Sequence, residues 1–325
     1  MKVLITGAAG FVGSHLVDAY LSDGCDVLGI DNFITGDISN LRDARENPRF
    51  AFRELDVTKM DERSLADIAE SFGTPDLILH FASPASPIDY AQRPLETMRV
   101  NSLGTENCCQ AALAWGARLL LASTSECYGD PLVHPQPESY WGNVNPVGPR
   151  SCYDESKRYA EAFVTTFTNV HGIDSRIIRI FNTYGPRMRV DDGRVVPNFV
   201  GQALRGEPLT VYGGGMQTRS FCYVSDLVDG IRACAASDET RGRIVNLGNP
   251  EERTIRQFAE IVCEIAGVPL DVDDATPMPV DDPGRRCPDI SRAKALLGWS
   301  PKVDIRTGLR ATLLDFSARL TVTTP

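Results

Sequence analysis

Nine cysteines occur in this chain, yet none forms a Cys-x-x-Cys pair, and their number is odd. A disulfide framework or a cysteine-based zinc site is therefore not expected. Reduced thiols in a cytoplasmic protein are. The four histidines, at 15, 80, 134 and 171, show no ligand spacing, so no metal is expected. Long basic runs are missing as well. With 33 basic against 43 acidic residues the net charge is −10, which excludes nucleic acid as an expected partner. No apolar stretch approaches the ~20 residues that a membrane-spanning helix needs. The short apolar run at the start meets a glycine loop at once, so it reads as a strand and not as a signal segment. No membrane contact is expected. Internal repeats and low-complexity tracts are absent too.

What is present is enough for a full core: 325 residues, 42% of them hydrophobic. In the first half apolar runs of strand length alternate with helical periodicity. Strands are predicted at 3–6, 27–30, 50–55, 77–81, 118–122 and 175–181, and helices at 11–21, 64–71, 97–115 and 153–170. That alternation implies an α/β fold, a Rossmann-type doubly wound parallel sheet. Beyond residue 182, glycines and prolines punctuate shorter elements, as at Gly185-Pro186, Gly213–Gly215 and Pro283-Gly284. The expected division is a nucleotide-binding domain over 1–181, then a smaller substrate-binding lobe over 182–318, part of which returns to the sheet. Residues 319–325 read as a frayed tail.

The glycines Gly7, Gly10 and Gly13, with Phe11 and Val12 between them, follow a strand and open a helix. In that context the backbone can approach a pyrophosphate, and the helix N-terminus offers free N–H groups. Asp31 closes the second strand. A carboxylate there accepts from a ribose 2′-hydroxyl and repels a 2′-phosphate, which predicts NAD as the cofactor. Asn32 and Phe33 continue that edge of the cofactor site.

Tyr153 and Lys157 are spaced i, i+4 at the start of a helix, so they share a face. A lysine ammonium and a nicotinamide charge nearby would favour the phenolate and make the tyrosine a usable base. The fifth strand leads into Thr124-Ser125-Glu126. Side chains at strand ends in such a sheet lie at the ligand crevice.

The Gly-x-x-Gly-x-x-Gly spacing resembles the extended short-chain dehydrogenase/reductase family. Asp56-Val57 and Ala82-Ser83 match the segments that flank the cofactor there. Longer phrases resemble the UDP-glucuronate decarboxylases of that family: His80–Pro87, Ala122–Asp130, Tyr140–Pro146, Tyr153–Lys157, Arg179–Arg187, Asp192–Val196, Gly206–Gly213, Gln217–Phe221 and Pro288–Ile290. The likeness runs from Lys2 to about Phe316. It implies a UDP-sugar substrate, a homodimer, and a reaction in three stages. Tyr153 removes the 4-hydroxyl proton while the C4 hydride passes to NAD+. The resulting β-keto acid loses CO2, with Thr124 and Tyr153 on the oxyanion. C5 is then reprotonated, with Ser125 and Glu126 positioning water or carboxylate, and the hydride either returns to C4 or stays on the cofactor. The resemblance places Tyr90, Arg99, Asn182, Val195, Tyr212, Arg219 and Arg286 at the substrate, the arginines suiting diphosphate and carboxylate. Arg286 is also carried over as catalytic.

Rival readings are a 4,6-dehydratase, a 4-epimerase, or a catalytically silent NAD-dependent sensor. Dehydratases of the family carry an Asp as acid where this chain has Ser125. Epimerases usually have a small or hydroxyl residue at the place of Glu126. The chain departs from the decarboxylase pattern at Ser156, where Gly is usual. It departs again over 58–75, which is longer and reads as a full crossover helix. The proline-rich segment 131–149 is expected to cover the sugar.

Overall fold

The computed structural model describes residues 1–278 and 280–322. Seven parallel strands form one sheet: β1 (Lys2–Thr6), β2 (Asp26–Asp31), β3 (Phe50–Glu54), β4 (Leu77–His80), β5 (Arg118–Thr124), β6 (Ser175–Ile180) and β7 (Ile244–Leu247). Their order is β3-β2-β1-β4-β5-β6-β7. The strands read as near-continuous apolar runs because helices cover both faces. Alternate residues of each run enter opposite cores. Val3, Ile5, Val27, Leu79 and Leu120 pack on one side, and Leu4, Leu28, Ile78, Leu119 and Leu121 on the other.

The crossover direction reverses at β1, which pairs β2 on one side and β4 on the other. Ligand crevices in such sheets open beyond the strand C-termini at that switch point. The glycine loop, Ala82-Ser83 and the end of β5 are all placed there.

Most predicted elements recur within a residue or two. Two differ in ways that matter. β5 runs on to Thr124, so the hydroxyl of that residue stands on the rigid sheet edge. The predicted helix 97–115 begins at Pro94 and passes through a π-helical turn at Val100–Gly104 before continuing as Thr105–Trp115. The long 58–75 segment does contain a crossover helix, Glu62–Ser71, capped by Asp61 through the Ser64 amide at 2.9 Å.

The second half contributes to both halves of the molecule. β7 joins β6 with Ile244 opposite Ile177, and the helix Val224–Ala236 packs Leu227, Val228 and Ile231 into the core beneath the sheet. A separate core holds Phe199, Phe221, Phe258, Leu309 and Phe316. The segment expected to fray is instead helical through residue 322, as the end of Ile305–Val322, and Arg319 donates to the Met188 carbonyl at 2.7 Å. Residues 323–325 of that predicted tail lie outside the described residues.

Candidate active site

The glycine loop is shaped by contacts that leave no room for side chains. Gly7 has φ +72°, and a Cβ there would lie 2.8 Å from the Ala82 nitrogen. A Cβ on Gly13 would collide with the Gly7 carbonyl. The loop thus lies flat against β4, with the N-terminus of the helix Phe11–Ser22 facing the crevice. This cradle fits a dinucleotide pyrophosphate.

Asp31 stands at the end of β2. Its carboxylate accepts from the Ala9 and Phe33 amides, both at 2.9 Å. Burial raises its pKa, and the Phe33 and Ala9 bonds partly oppose that. Each oxygen keeps a further lone pair for a ribose hydroxyl.

On β5 and the helix Ser151–His171 the reactive groups converge. The Tyr153 phenol is buried and stacks on Tyr90 at 5.1 Å between ring centroids. Burial pushes its pKa up, a hydrogen bond with the Thr124 hydroxyl pulls it down, and nearby Glu126 pushes it up again. Lys157 donates to the Ala122 carbonyl at 2.9 Å and sits 5.9 Å from the Tyr153 ring centre. Burial lowers the Lys157 pKa from 10.5 to about 8.

Beside this pair lies a cluster of charges. Arg286 meets Glu126 in a bidentate pair at 2.5 and 2.7 Å, and Arg150 reaches the same carboxylate at 2.6 Å. Burial alone would raise Glu126, but the two guanidiniums hold it well below the usual carboxylate range. Asp282 spans the two outer arginines, 2.7 Å from Arg219 and 3.4 Å from Arg150. Asp154 is raised by burial and by the neighbouring Glu126 charge.

A cavity of about 750 Å³ joins these parts. It runs from Gly7, Gly10, Phe11, Val12, Gly13 and Ser83 past Thr124, Ser125, Glu126, Tyr153 and Lys157. It ends among Tyr90, Asn182, Val195, Tyr212, Arg219 and Arg286. The remaining candidates fall elsewhere. Arg99 is exposed on the helix Pro94–Arg99 and is not among the lining residues. Asn32 is exposed, and its side chain accepts from the Ile34 amide. Asp56 is used as a local cap for Thr58, and Val57 is buried, its carbonyl bonded to Asn107. Phe33 lines a neighbouring groove with Thr35, Gly36 and Phe52. Ala82 touches the loop through its backbone, its amide donating to the Thr6 hydroxyl at 3.2 Å.

The 131–149 segment does not line the cavity either. It braces the strand behind it, with Gln136 exchanging hydrogen bonds with the Cys287 backbone at 2.8 and 2.9 Å.

Arg150 and Asp282 were not read from the sequence. A signal existed for Arg150, which precedes Tyr153 by three positions and so shares its helix face. None existed for Asp282, which meets Arg219 across 63 positions.

The chain matches the family model described as NAD dependent epimerase/dehydratase family over residues 3–248. UDP-glucuronic acid decarboxylase 5 of Arabidopsis thaliana is 51% identical over 323 residues, covering 99% of this chain and 91% of that protein. UDP-glucuronic acid decarboxylase 1 of Xenopus tropicalis is 48% identical over 319 residues, covering 98% and 73%. Among solved structures, UDP-glucose 4-epimerase from Thermotoga maritima with UDP-glucose matches with a TM-score of 0.89 at 28% identity, covering 98% of this chain and 100% of that one. UDP-glucuronic acid 4-epimerase from Bacillus cereus, in complex with UDP-glucuronic acid and NAD, matches with a TM-score of 0.85 at 28% identity and the same coverage. This chain belongs to the NAD dependent epimerase/dehydratase family, in the branch of the UDP-glucuronic acid decarboxylases.

Proposed function

We propose that this protein decarboxylates UDP-glucuronate by NAD-dependent oxidation at C4, giving UDP-xylose or the UDP-4-keto-pentose. The observation that carries the reading is the strand end Thr124-Ser125-Glu126, with Glu126 clamped by Arg286 and Arg150 beside Tyr153. Relatives at about half identity that carry the decarboxylase name support it.

NAD, when bound, takes the C4 hydride and brings a positive ring that favours the Tyr153 phenolate. Gly7, Gly10 and Gly13 would hold its pyrophosphate, and Asp31 its adenosine ribose. Tyr153 accepts the 4-hydroxyl proton, with Thr124 donating to the oxygen left behind. The sugar is then a 4-ketone with its carboxylate on the neighbouring carbon. As the C5–C6 bond breaks, its electron pair moves to the C4 oxygen, where the Thr124 and Tyr153 hydroxyls stabilise the enolate. CO2 departs, and C5 takes a proton from water. Glu126 is ionised and doubly paired, so at neutral pH it anchors that water and is not itself the acid. Ser125 is a poor acid for expelling a hydroxyl, which argues against a dehydratase.

Arg219 and Arg286 serve the substrate's anionic groups. A homodimer belongs to the same reading. The helical stretch 94–115 and the helix Ser151–His171 expose Leu95, Met98, Leu103, Leu113, Tyr159 and Val170 on neighbouring surfaces. So does a cytoplasmic location, which suits nine free cysteines. No helix among the described residues is long and apolar enough to cross a membrane. Incubation with UDP-glucuronate and NAD+ should release CO2 and give a nucleotide pentose by mass spectrometry. Formation of the C4 epimer with no loss of CO2 would overturn the proposal.

A further inference from the structure

Behind the active site, three side chains from separate segments meet. His134 lies in the loop before the helix Ser151–His171, Glu252 opens the strand Glu252–Thr254, and Cys287 directly follows the strand Arg285–Arg286. Both strands pair with Thr218–Ser220, one on each side, so their ends are fixed side by side. Gln136 then ties the His134 loop to the Cys287 backbone through two hydrogen bonds, one from its own amide and one to its side-chain oxygen. A His134 ring nitrogen, a Glu252 carboxylate oxygen and the Cys287 Sγ all lie within 4.8 Å of one another.

We propose that His134, Glu252 and Cys287 form a binding site for a divalent cation of the zinc class. The donor set is one imidazole nitrogen, one carboxylate and one thiolate, which suits a borderline cation and leaves a fourth position for water. Its charge, −2 with the thiol deprotonated, matches a divalent ion. Tetrahedral zinc with bonds of ~2.0–2.3 Å puts its ligand atoms roughly 3.5 Å apart, so the three groups need to close by about 1 Å. His134 Nε2 and Glu252 are already linked at 3.1 Å, and the cation takes the place of the hydrogen between them. Cys287, whose buried thiol donates to the Pro250 carbonyl at 3.4 Å, gives that proton up to water as the cation binds. The Thr218 hydroxyl holds the other oxygen of Glu252 and orients it. Arg285 stands 3.7 Å from Glu252, but it is exposed on a long stem and can turn to water. Because Cys287 adjoins Arg286, the ion would fasten the strand that aims Arg286 at Glu126.

The test uses the full chain, stripped with a chelator and dialysed, and Co2+ as the probe. We expect one Co2+ per chain, a thiolate-to-cobalt charge-transfer band in the near ultraviolet, displacement of that band by Zn2+, and a raised Tm. Cys287→Ser and His134→Ala, each checked for native circular dichroism, should lose the band. His134 is at the surface, so its variant keeps the test available should Cys287→Ser not fold. No band in the wild-type protein, or a band of full intensity in either folded variant, overturns the site.

Discussion

Replacing Lys157 by Met should stabilise the ligand-free protein while destroying its activity. Lys157 is 4% exposed, and burial lowers its pKa from 10.5 to about 8. That gap corresponds to roughly 3 kcal/mol by which the folded state disfavours the ammonium. Methionine has a similar length and no charge. It leaves the Ala122 carbonyl without its donor, which costs about 1 kcal/mol. The expected net gain is about 2 kcal/mol at pH 7. The sign with pH is fixed by linkage. Below about pH 8 both states of the wild type hold the proton, and the full penalty applies. Between 8 and 10.5 the unfolded chain binds more protons than the folded one, so wild-type stability rises with pH. Above 10.5 both forms are neutral and the penalty is gone. Urea unfolding of both proteins, followed by circular dichroism from pH 7 to 10, should show the variant ahead at pH 7 and the gap closing as pH rises. Turnover should fall by more than about 100-fold. A variant that is no more stable at pH 7, with a gap that ignores pH, would refute the burial cost.

Three further outcomes are expected. Glu126→Gln leaves Arg286 and Arg150 without their shared counter-charge, so turnover should drop by about 100-fold or more with NAD affinity by calorimetry unchanged; undiminished turnover removes Glu126 from the mechanism. Gly13→Ala puts a methyl group against the Gly7 carbonyl, and NAD binding by calorimetry should weaken by more than about 10-fold; wild-type affinity would mean the loop is not the cradle. Asp282→Asn removes an internal anion from Arg219 and should lower the KM for the UDP-sugar about five-fold, the equivalent of about 1 kcal/mol for a partly exposed pair; an unchanged or higher KM would show that substrate does not displace Asp282.

The sheet was legible because its strands are buried on both faces, which leaves short apolar runs such as Leu119–Leu121 that little else explains. Gly7, Tyr153 and Lys157 were legible because their chemistry is local, confined to one turn or one helical repeat. What escaped depended on distance along the chain. A return of the second half to the sheet is expected from the sequence, but the segment that makes it is not: β7 sits next to β6 although 63 positions separate the start of the loop at Phe181 from Ile244, and no local pattern marks that strand. Helical periodicity ran through Val100–Gly104 unbroken, since a single wide turn leaves the apolar spacing almost unaltered. The resemblance puts Arg99 at the substrate, while the helix it ends turns that position to solvent. His134 meets Glu252 across 118 positions, so no local spacing in the sequence marks that pair.

Asp282 has a consequence for how substrate arrives. The cations of the pocket are largely compensated before any ligand enters, by Glu126 on one side and Asp282 on the other. The chain as a whole carries −10. An anionic sugar nucleotide therefore feels little long-range attraction, and its association rate should respond only weakly to ionic strength. Selection happens at contact, by exchange of one anion for another. A small anion that makes a single contact gains nothing over the carboxylate it must evict. A diphosphate that engages several donors at once does.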